Sequence, residues 1–347
     1  MNSELATTFL GIELKSPVIA GSCPLTIEPE MVRQLACAGV GAIVLPSILQ
    51  EQILYATIRS VDPEHAIERS GYQPLQDRYN GGVDNYLAAI RQLKLCEQIP
   101  IFASISGSSV EHWIDYAKEI QAAGADALQL SWPPIISLPE ESSDQVEQHF
   151  VDTVRRLCEN ISIPVAVKLH KRFTNLASIA KKLQNAGADG LILFTHLPEW
   201  DVHIDQMRWT IRWELSPVHS LGGTLEGIVH ARAGELDISI AASGGVRSAE
   251  DAIKAMIAGA NAVMVTSEIY REGPEVVHKM IDGISRFLDN SPYKSLLDFL
   301  QARPNVEFGP LRMMQLEYSD PLTHINDYVD PTPVASFETG DCYGHKA

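Results

Sequence analysis

Four stretches of the chain share one alternation of polar and apolar positions. They are Ala38-Gly39-Val40-Gly41-Ala42-Ile43-Val44, Ala123-Gly124-Ala125-Asp126-Ala127-Leu128, Ala186-Gly187-Ala188-Asp189-Gly190-Leu191-Ile192-Leu193 and Ala258-Gly259-Ala260-Asn261-Ala262-Val263-Met264-Val265. Each follows a segment with helical apolar spacing, stops it at a glycine, and enters a short, wholly apolar run. A glycine just past a helix end adopts the left-handed conformation at no Cβ cost. A short apolar run with no alternation fits a parallel strand covered on both faces. Helix, glycine stop and buried strand in repetition predict a parallel α/β fold.

Eight such strands are predicted: 17–20, 42–45, 101–104, 127–130, 165–169, 191–194, 238–242 and 262–265. Helical spacing fills 28–38, 83–97, 109–123, 144–160, 176–185 and 248–258, the last capped by Ser248 with Asp251. Eight strands alternating with helices predict a (β/α)8 TIM barrel over residues 1–290. An open doubly wound sheet would carry a glycine-rich turn after its first strand. The sequence there is Ala20-Gly21-Ser22-Cys23-Pro24, which is not that turn. Two segments interrupt the rhythm. Residues 55–82 form a Pro/Gly-spotted insertion suited to a lid, and 196–220 is an irregular stretch holding Trp200, Trp209 and Trp213. Residues 291–347 are expected to form a helix near 295–301 and then an irregular C-terminal extension, one that wraps a neighbour or is loose.

The 347 residues carry a formal charge of −17 and no basic cluster, which argues against nucleic acid and anionic membrane surfaces as partners. An acidic surface also disfavours docking to an acidic electron carrier. The five cysteines are scattered without a CxxC pair. That fits reduced thiols in a cytoplasmic protein and disfavours an internal iron–sulfur cluster. No secretory signal is legible at Met1–Leu5, and no apolar run approaches the ~20 residues of a membrane span. No metal-ligand spacing and no nucleophile motif occur.

Barrels of this class place their chemistry at the C-terminal ends of the strands, with phosphate commonly held after strands seven and eight. Strand seven runs into Ser243-Gly244-Gly245-Val246, just ahead of a helix, and strand eight into Thr266-Ser267. Both offer N–H and hydroxyl donors to an anion; a tight turn that merely needs glycine is the plainer reading. Lys168 ends the buried run of strand five. Pointing inward it requires an anionic or electron-rich partner; at the rim it would snorkel to water. Ser22, Ser47, Ser106, Ser131, His170, Thr195 and His196 also stand at strand ends. Together they suit a polar, planar, phosphorylated small molecule. The two histidines are candidates for acid/base work, with a structural role as the ordinary alternative.

Several segments resemble the dihydroorotate dehydrogenases, most closely the bacterial dihydroorotate dehydrogenase-like branch. They are Thr7-Thr8-Phe9-Leu10-Gly11-Ile12, the run from Lys15 to Ser22, Ile99-Pro100-Ile101-Phe102-Ala103-Ser104-Ile105, Pro164-Val165-Ala166-Val167-Lys168-Leu169 and Ala242-Ser243-Gly244-Gly245-Val246. The similarity spans roughly residues 5–290. It implies an FMN-binding barrel without the membrane helices of the respiratory-chain class. By the resemblance, Ala20, Gly21 and Ser22 lie against the flavin, Lys168 faces its ring and ribityl region, and Gly244, Gly245, Thr266 and Ser267 hold its phosphate. Ser47, Ser106, Ser131 and Thr195 complete the set of cofactor-side residues.

The departures are equally specific. Pro46 stands where the family carries a lysine before Ser47. Ser106, Ser131 and Thr195 occupy positions where asparagines are expected. After strand four, where the family has a Cys or Ser base, the chain reads Trp132-Pro133-Pro134-Ile135-Ile136-Ser137. No catalytic base is assigned. The expectation is an FMN-dependent oxidoreductase, possible as a homo-oligomer, acting on a small molecule other than dihydroorotate or with much reduced activity. The alternatives are a non-catalytic barrel serving as scaffold or subunit, and a phosphate-ligand barrel without flavin.

Overall fold

The computed structural model describes residues 3–107, 113–132, 140–217, 220–304, 310–319 and 322. The chain divides into two compact units, Met1–Pro304 and Asn305–Ala347. In the first unit eight parallel strands close into a barrel: β1 (Val18–Ala20), β2 (Ala42–Val44), β3 (Ile101–Ser106), β4 (Ala127–Ser131), β5 (Val165–Leu169), β6 (Gly190–Leu193), β7 (Ser239–Ser243) and β8 (Ala262–Val265). They pair in chain order, β8 pairs with β1, and β2 pairs with β3 to complete the ring. Every predicted strand is present, shifted by at most two residues at either end. The glycines of the four repeated phrases, Gly39, Gly124, Gly187 and Gly259, all have positive φ.

Strand two carries one difference. The ladder stops at Val44, which pairs with Phe102, and resumes at Ile48–Leu49, which pairs with Ile105 and Ser106. Pro46 between them has no N–H to donate, so the strand breaks there and turns Ser47 toward the barrel axis.

Small and large side chains alternate inside the barrel: Ala42, Ala127, Ala166, Ala241 and Ala262 against Phe102, Ile192 and Met264. The lower end is closed by an antiparallel hairpin, Thr7–Phe9 with Ile12–Leu14, whose Phe9, Leu10 and Leu14 are buried in the same cluster. The interior is therefore open only at the C-terminal ends of the strands. A second apolar layer lies between the strands and the surrounding helices. Two of those helices, Gly222–Arg232 and Glu275–Asp289, were not predicted from the sequence, although the second is strongly amphipathic and buries Val276, Val277, Met280, Ile284 and Leu288. The first starts on two glycines and lacks a clear polar face. Helix Leu296–Ala302, predicted near 295–301, buries Leu296, Phe299 and Leu300 in the main core.

The insertion at 55–82 is helical, formed by Gln50–Arg59, Ala66–Ser70 and Asp77–Asn80 with a 3-10 turn at Pro74–Gln76. The irregular stretch after β6 holds an antiparallel ribbon, Glu199–His203 with Arg208–Arg212. In the second unit the described residues form a short helix, Pro310–Met314, and a wider helical turn, Gln315–Ser319. The Pro133–Ser137 segment, Cys342 and most of the C-terminal extension lie outside the described residues.

Candidate active site at the barrel mouth

A cavity of about 930 Å³ occupies the open end of the barrel. Ser22, Ser47, Ser106, Ser131, Lys168 and Thr195 line it from the ends of β1 to β6. Gly244, Gly245, Thr266 and Ser267 line it from β7 and β8. Ten of the twelve residues singled out from the sequence thus face one space. Ala20 and Gly21 do not line it. Ala20 is fully buried in the wall. Gly21 donates its N–H to the Val265 carbonyl at 2.9 Å, and a Cβ there would lie 2.3 Å from Thr266 Oγ1. Its small size lets Thr266 sit beside β1.

Lys168 lines the cavity with no ion-pair partner among the described residues. Pairing in the parallel ladder places Ser131 beside it on β4. Among the described residues no carboxylate reaches its ammonium, and the nearest titrating neighbour is the Cys23 thiol. Burial therefore pulls its pKa down to about 8. The same burial pushes the Cys23 thiol and the Tyr79 and Tyr270 phenols up, holding all three protonated.

Among the described residues, Gln129 Oε1 and Thr195 Oγ1, both buried at this end of the barrel, have no hydrogen-bond partner, and Ser22 Oγ is buried beside the Tyr79 hydroxyl. Native proteins rarely leave such atoms unmet, because each costs about 1–3 kcal/mol. Gln129 is fixed from its other side, where Nε2 donates to Ser104 Oγ at 2.8 Å. Ser104 Oγ is in turn 2.7 Å from Ser47 Oγ. This chain of contacts fixes the Gln129 amide and leaves its buried oxygen without a hydrogen-bond partner among the described residues.

At the far side, Gly244 and Gly245 both have positive φ, near 100° and 82°. A Cβ on Gly245 would fall 2.4 Å from the Leu221 nitrogen, so glycine is required there on space as well as conformation. Consecutive residues of this kind turn backbone N–H groups to one side. Helix Ala249–Ala258 follows, capped by Ser248 Oγ, which accepts from Asp251 N at 3.2 Å.

The two histidines part company. His170 Nδ1 accepts the Arg172 N–H at 3.0 Å, and its ring stacks on Phe173. Burial and the Arg172 charge lower its pKa to about 4, so it is neutral and structural. His196 lines the cavity, but its Nε2 donates to the Glu214 carbonyl at 2.6 Å and its ring meets Trp213 edge-on.

Sequence reasoning missed Tyr79, Gln129, Arg247, Glu268 and Tyr270, all of which line the cavity. Gln129 was detectable as one polar residue inside an apolar strand. Arg247 follows Gly-Gly-Val directly. Tyr79 is delivered by the insertion and leaves no local signal.

Comparison with known proteins agrees with the architecture. A family model described as dihydroorotate dehydrogenase matches residues 224–288, the segment that holds both phosphate-type loops. The catalytic subunit of dihydroorotate dehydrogenase B (NAD(+)) from Pyrococcus abyssi is 24% identical over 300 residues, covering 85% of this chain and 98% of the relative. The subunit of the same name from Bacillus cytotoxicus is 29% identical over 296 residues, covering 80% and 90%. That from Methanocaldococcus jannaschii is 27% identical over 301 residues, covering 82% and 93%. The chain resembles these enzymes along its whole barrel and shares the fold of a flavin-dependent dehydrogenase.

Proposed function

We propose, from this similarity to dihydroorotate dehydrogenases, that the chain binds FMN at the barrel mouth and oxidises a small organic molecule other than dihydroorotate. The observation that carries the reading is the buried Lys168, which lines the cavity and which no carboxylate among the described residues reaches. A bound electron-rich group gives it a partner. The donor set suits a flavin mononucleotide. Gly244, Gly245, Thr266 and Ser267 would face its phosphate and Lys168 the electron-rich edge of its ring, with Ser22, Ser47, Ser106, Ser131 and Thr195 lining the rest of the cavity. Ala20 and Gly21 form the wall behind. Bound there, the flavin supplies a hydride acceptor; position and electrostatics come from the protein.

The departures from the family pattern support a changed substrate. Pro46 brings neither charge nor N–H to the end of strand two. Ser106, Ser131 and Thr195 are shorter than asparagine and present one donor where an amide presents two. Orotate-type recognition is weakened at each of these positions together.

A second reading, a non-catalytic barrel, is favoured by one observation. Burial keeps the Cys23, Tyr79 and Tyr270 groups protonated, so none of them is a ready base. Anaerobic titration of the flavin-loaded protein separates the cases. Dithionite bleaches the flavin in any case. Dihydroorotate is expected to leave the absorbance nearly unchanged, and rapid full bleaching by dihydroorotate would overturn the altered-substrate reading. If the flavin-loaded protein is bleached by no CH–CH donor among a panel of small acids and imides, the non-catalytic reading prevails.

A further inference from the structure

At the Gly244-Gly245 side of the cavity, charge is arranged in a way the glycines alone do not require. The Glu268 side chain is 3% exposed, yet it faces the cavity and receives two guanidinium groups. Arg247 Nε donates to Glu268 Oε1 at 2.9 Å, and Arg271 Nη1 donates to the same oxygen. Arg271 spends its other Nη on the Ser216 carbonyl at 2.8 Å. Ser216 is tied in turn to Ser267, whose Oγ accepts the Ser216 N–H at 3.0 Å. Of the other carboxylates nearby, Asp251 accepts the backbone N–H of Arg247 at 3.0 Å and so anchors the main chain rather than the guanidinium, and Glu272, close enough to feel the Arg247 charge, is paired with Lys279 Nζ at 2.8 Å.

Two guanidinium groups on one carboxylate leave one positive charge over. Arg271 is held at both Nη groups, by Glu268 and by the Ser216 carbonyl, so the surplus sits on Arg247. Its Nε is fixed by Glu268, and among the described residues its two Nη groups make no hydrogen bond. A guanidinium held by one edge presents the other as a preset fork, the geometry that best matches an oxyanion. Its side chain is one-third exposed, and it lines the same cavity as Gly245 and Thr266.

We propose that Arg247 is the charged anchor for a phosphate monoester in this cavity and that Glu268 is the positioning residue that aims it. The assignment rests on the flavin reading above, in which the phosphate belongs to FMN. The glycine loop and Thr266-Ser267 supply neutral donors; Arg247 supplies the charge that offsets a dianion. Glu268 narrows the guanidinium to one orientation, and Arg271 keeps Glu268 from cancelling the charge of Arg247.

The test compares FMN with riboflavin, which lacks the phosphate, by fluorescence titration of the full chain. The native protein is expected to prefer FMN. Arg247→Met is expected to lose about tenfold or more in FMN affinity with riboflavin affinity unchanged, and Arg247→Lys to recover part of the loss. Glu268→Gln is expected to lose FMN affinity severalfold with riboflavin again unchanged, a ratio that a general loss of structure would not move. Equal losses for both flavins, or no loss in Arg247→Met, would overturn the anchor. Should the native chain bind neither flavin, the flavin reading fails, and inorganic phosphate decides the anchor alone. Stabilisation of the native chain by phosphate that disappears in Arg247→Met upholds it; equal stabilisation, or none, overturns it.

Discussion

Lys168 illustrates how one residue can be costly for the fold and useful for the site. Its pKa falls from 10.5 to about 8 because burial penalises the ammonium. Below pH 8 both the folded and unfolded chains carry the proton, and the fold bears the whole penalty. Between pH 8 and 10.5 the unfolded chain binds more protons, so this contribution rises with pH and the penalty is gone above that window. Lys168→Met is therefore expected to stabilise the ligand-free protein by about 3 kcal/mol at neutral pH. The gain should shrink as pH rises toward 10.5, and the variant should retain flavin poorly. Urea unfolding of both proteins at pH 7 and pH 9.5 checks this; a pH-independent gain would refute the buried ammonium. The lysine was legible in the sequence because it ends an apolar strand. Its lack of a partner was not, since that depends on what five other strands bring near it.

At the scale of elements, the repeated helix-stop phrase determined the strands but not the insertion. Residues 50–82 are organised by a buried polar clasp with no sequence period. Asn80 is fully buried and donates to the Ser47 carbonyl at 2.8 Å and to Gln52 Oε1 at 2.7 Å. Its own Oδ1 accepts from Gln52 Nε2 at 2.9 Å and from the Gly82 N–H at 3.0 Å. Asp77 joins through Gln52 Nε2 at 2.9 Å and Tyr72 OH at 2.6 Å. The clasp fastens the insertion to the broken end of strand two and so seats Tyr79 in the cavity. Asn80→Ala leaves several buried groups unmet and is expected to cost about 2–4 kcal/mol. Hydrogen exchange should show faster opening confined to residues 50–82 and the Ser47 region. Uniform loss of protection across the barrel would show that the clasp is not local. The ribbon at 199–212 was missed although its sequence carries the signal: Trp200, Val202, Trp209 and Ile211 alternate with polar residues and lie on one of its faces, where they remain exposed.

For the molecule as a whole, the parallel barrel was readable because its core imposes one rule eight times over. The positions of the phosphate-type loops followed from the barrel's polarity, and ten of twelve chosen residues meet in one cavity. What escaped were groups whose role depends on distant partners: Arg247 through Glu268 and Arg271, Gln129 through Ser104, Tyr79 through Asn80. The chain is similar in sequence to dihydroorotate dehydrogenases along most of its length, and Ser47, Ser106, Ser131 and Thr195 line its mouth. Among the described residues no helix is long and apolar enough to cross a membrane. The central claim is that this mouth holds FMN. Its most direct test is the visible spectrum of the purified full-length chain after incubation with FMN and gel filtration. The account predicts flavin bands at one FMN per chain; a colourless protein that retains none would contradict it.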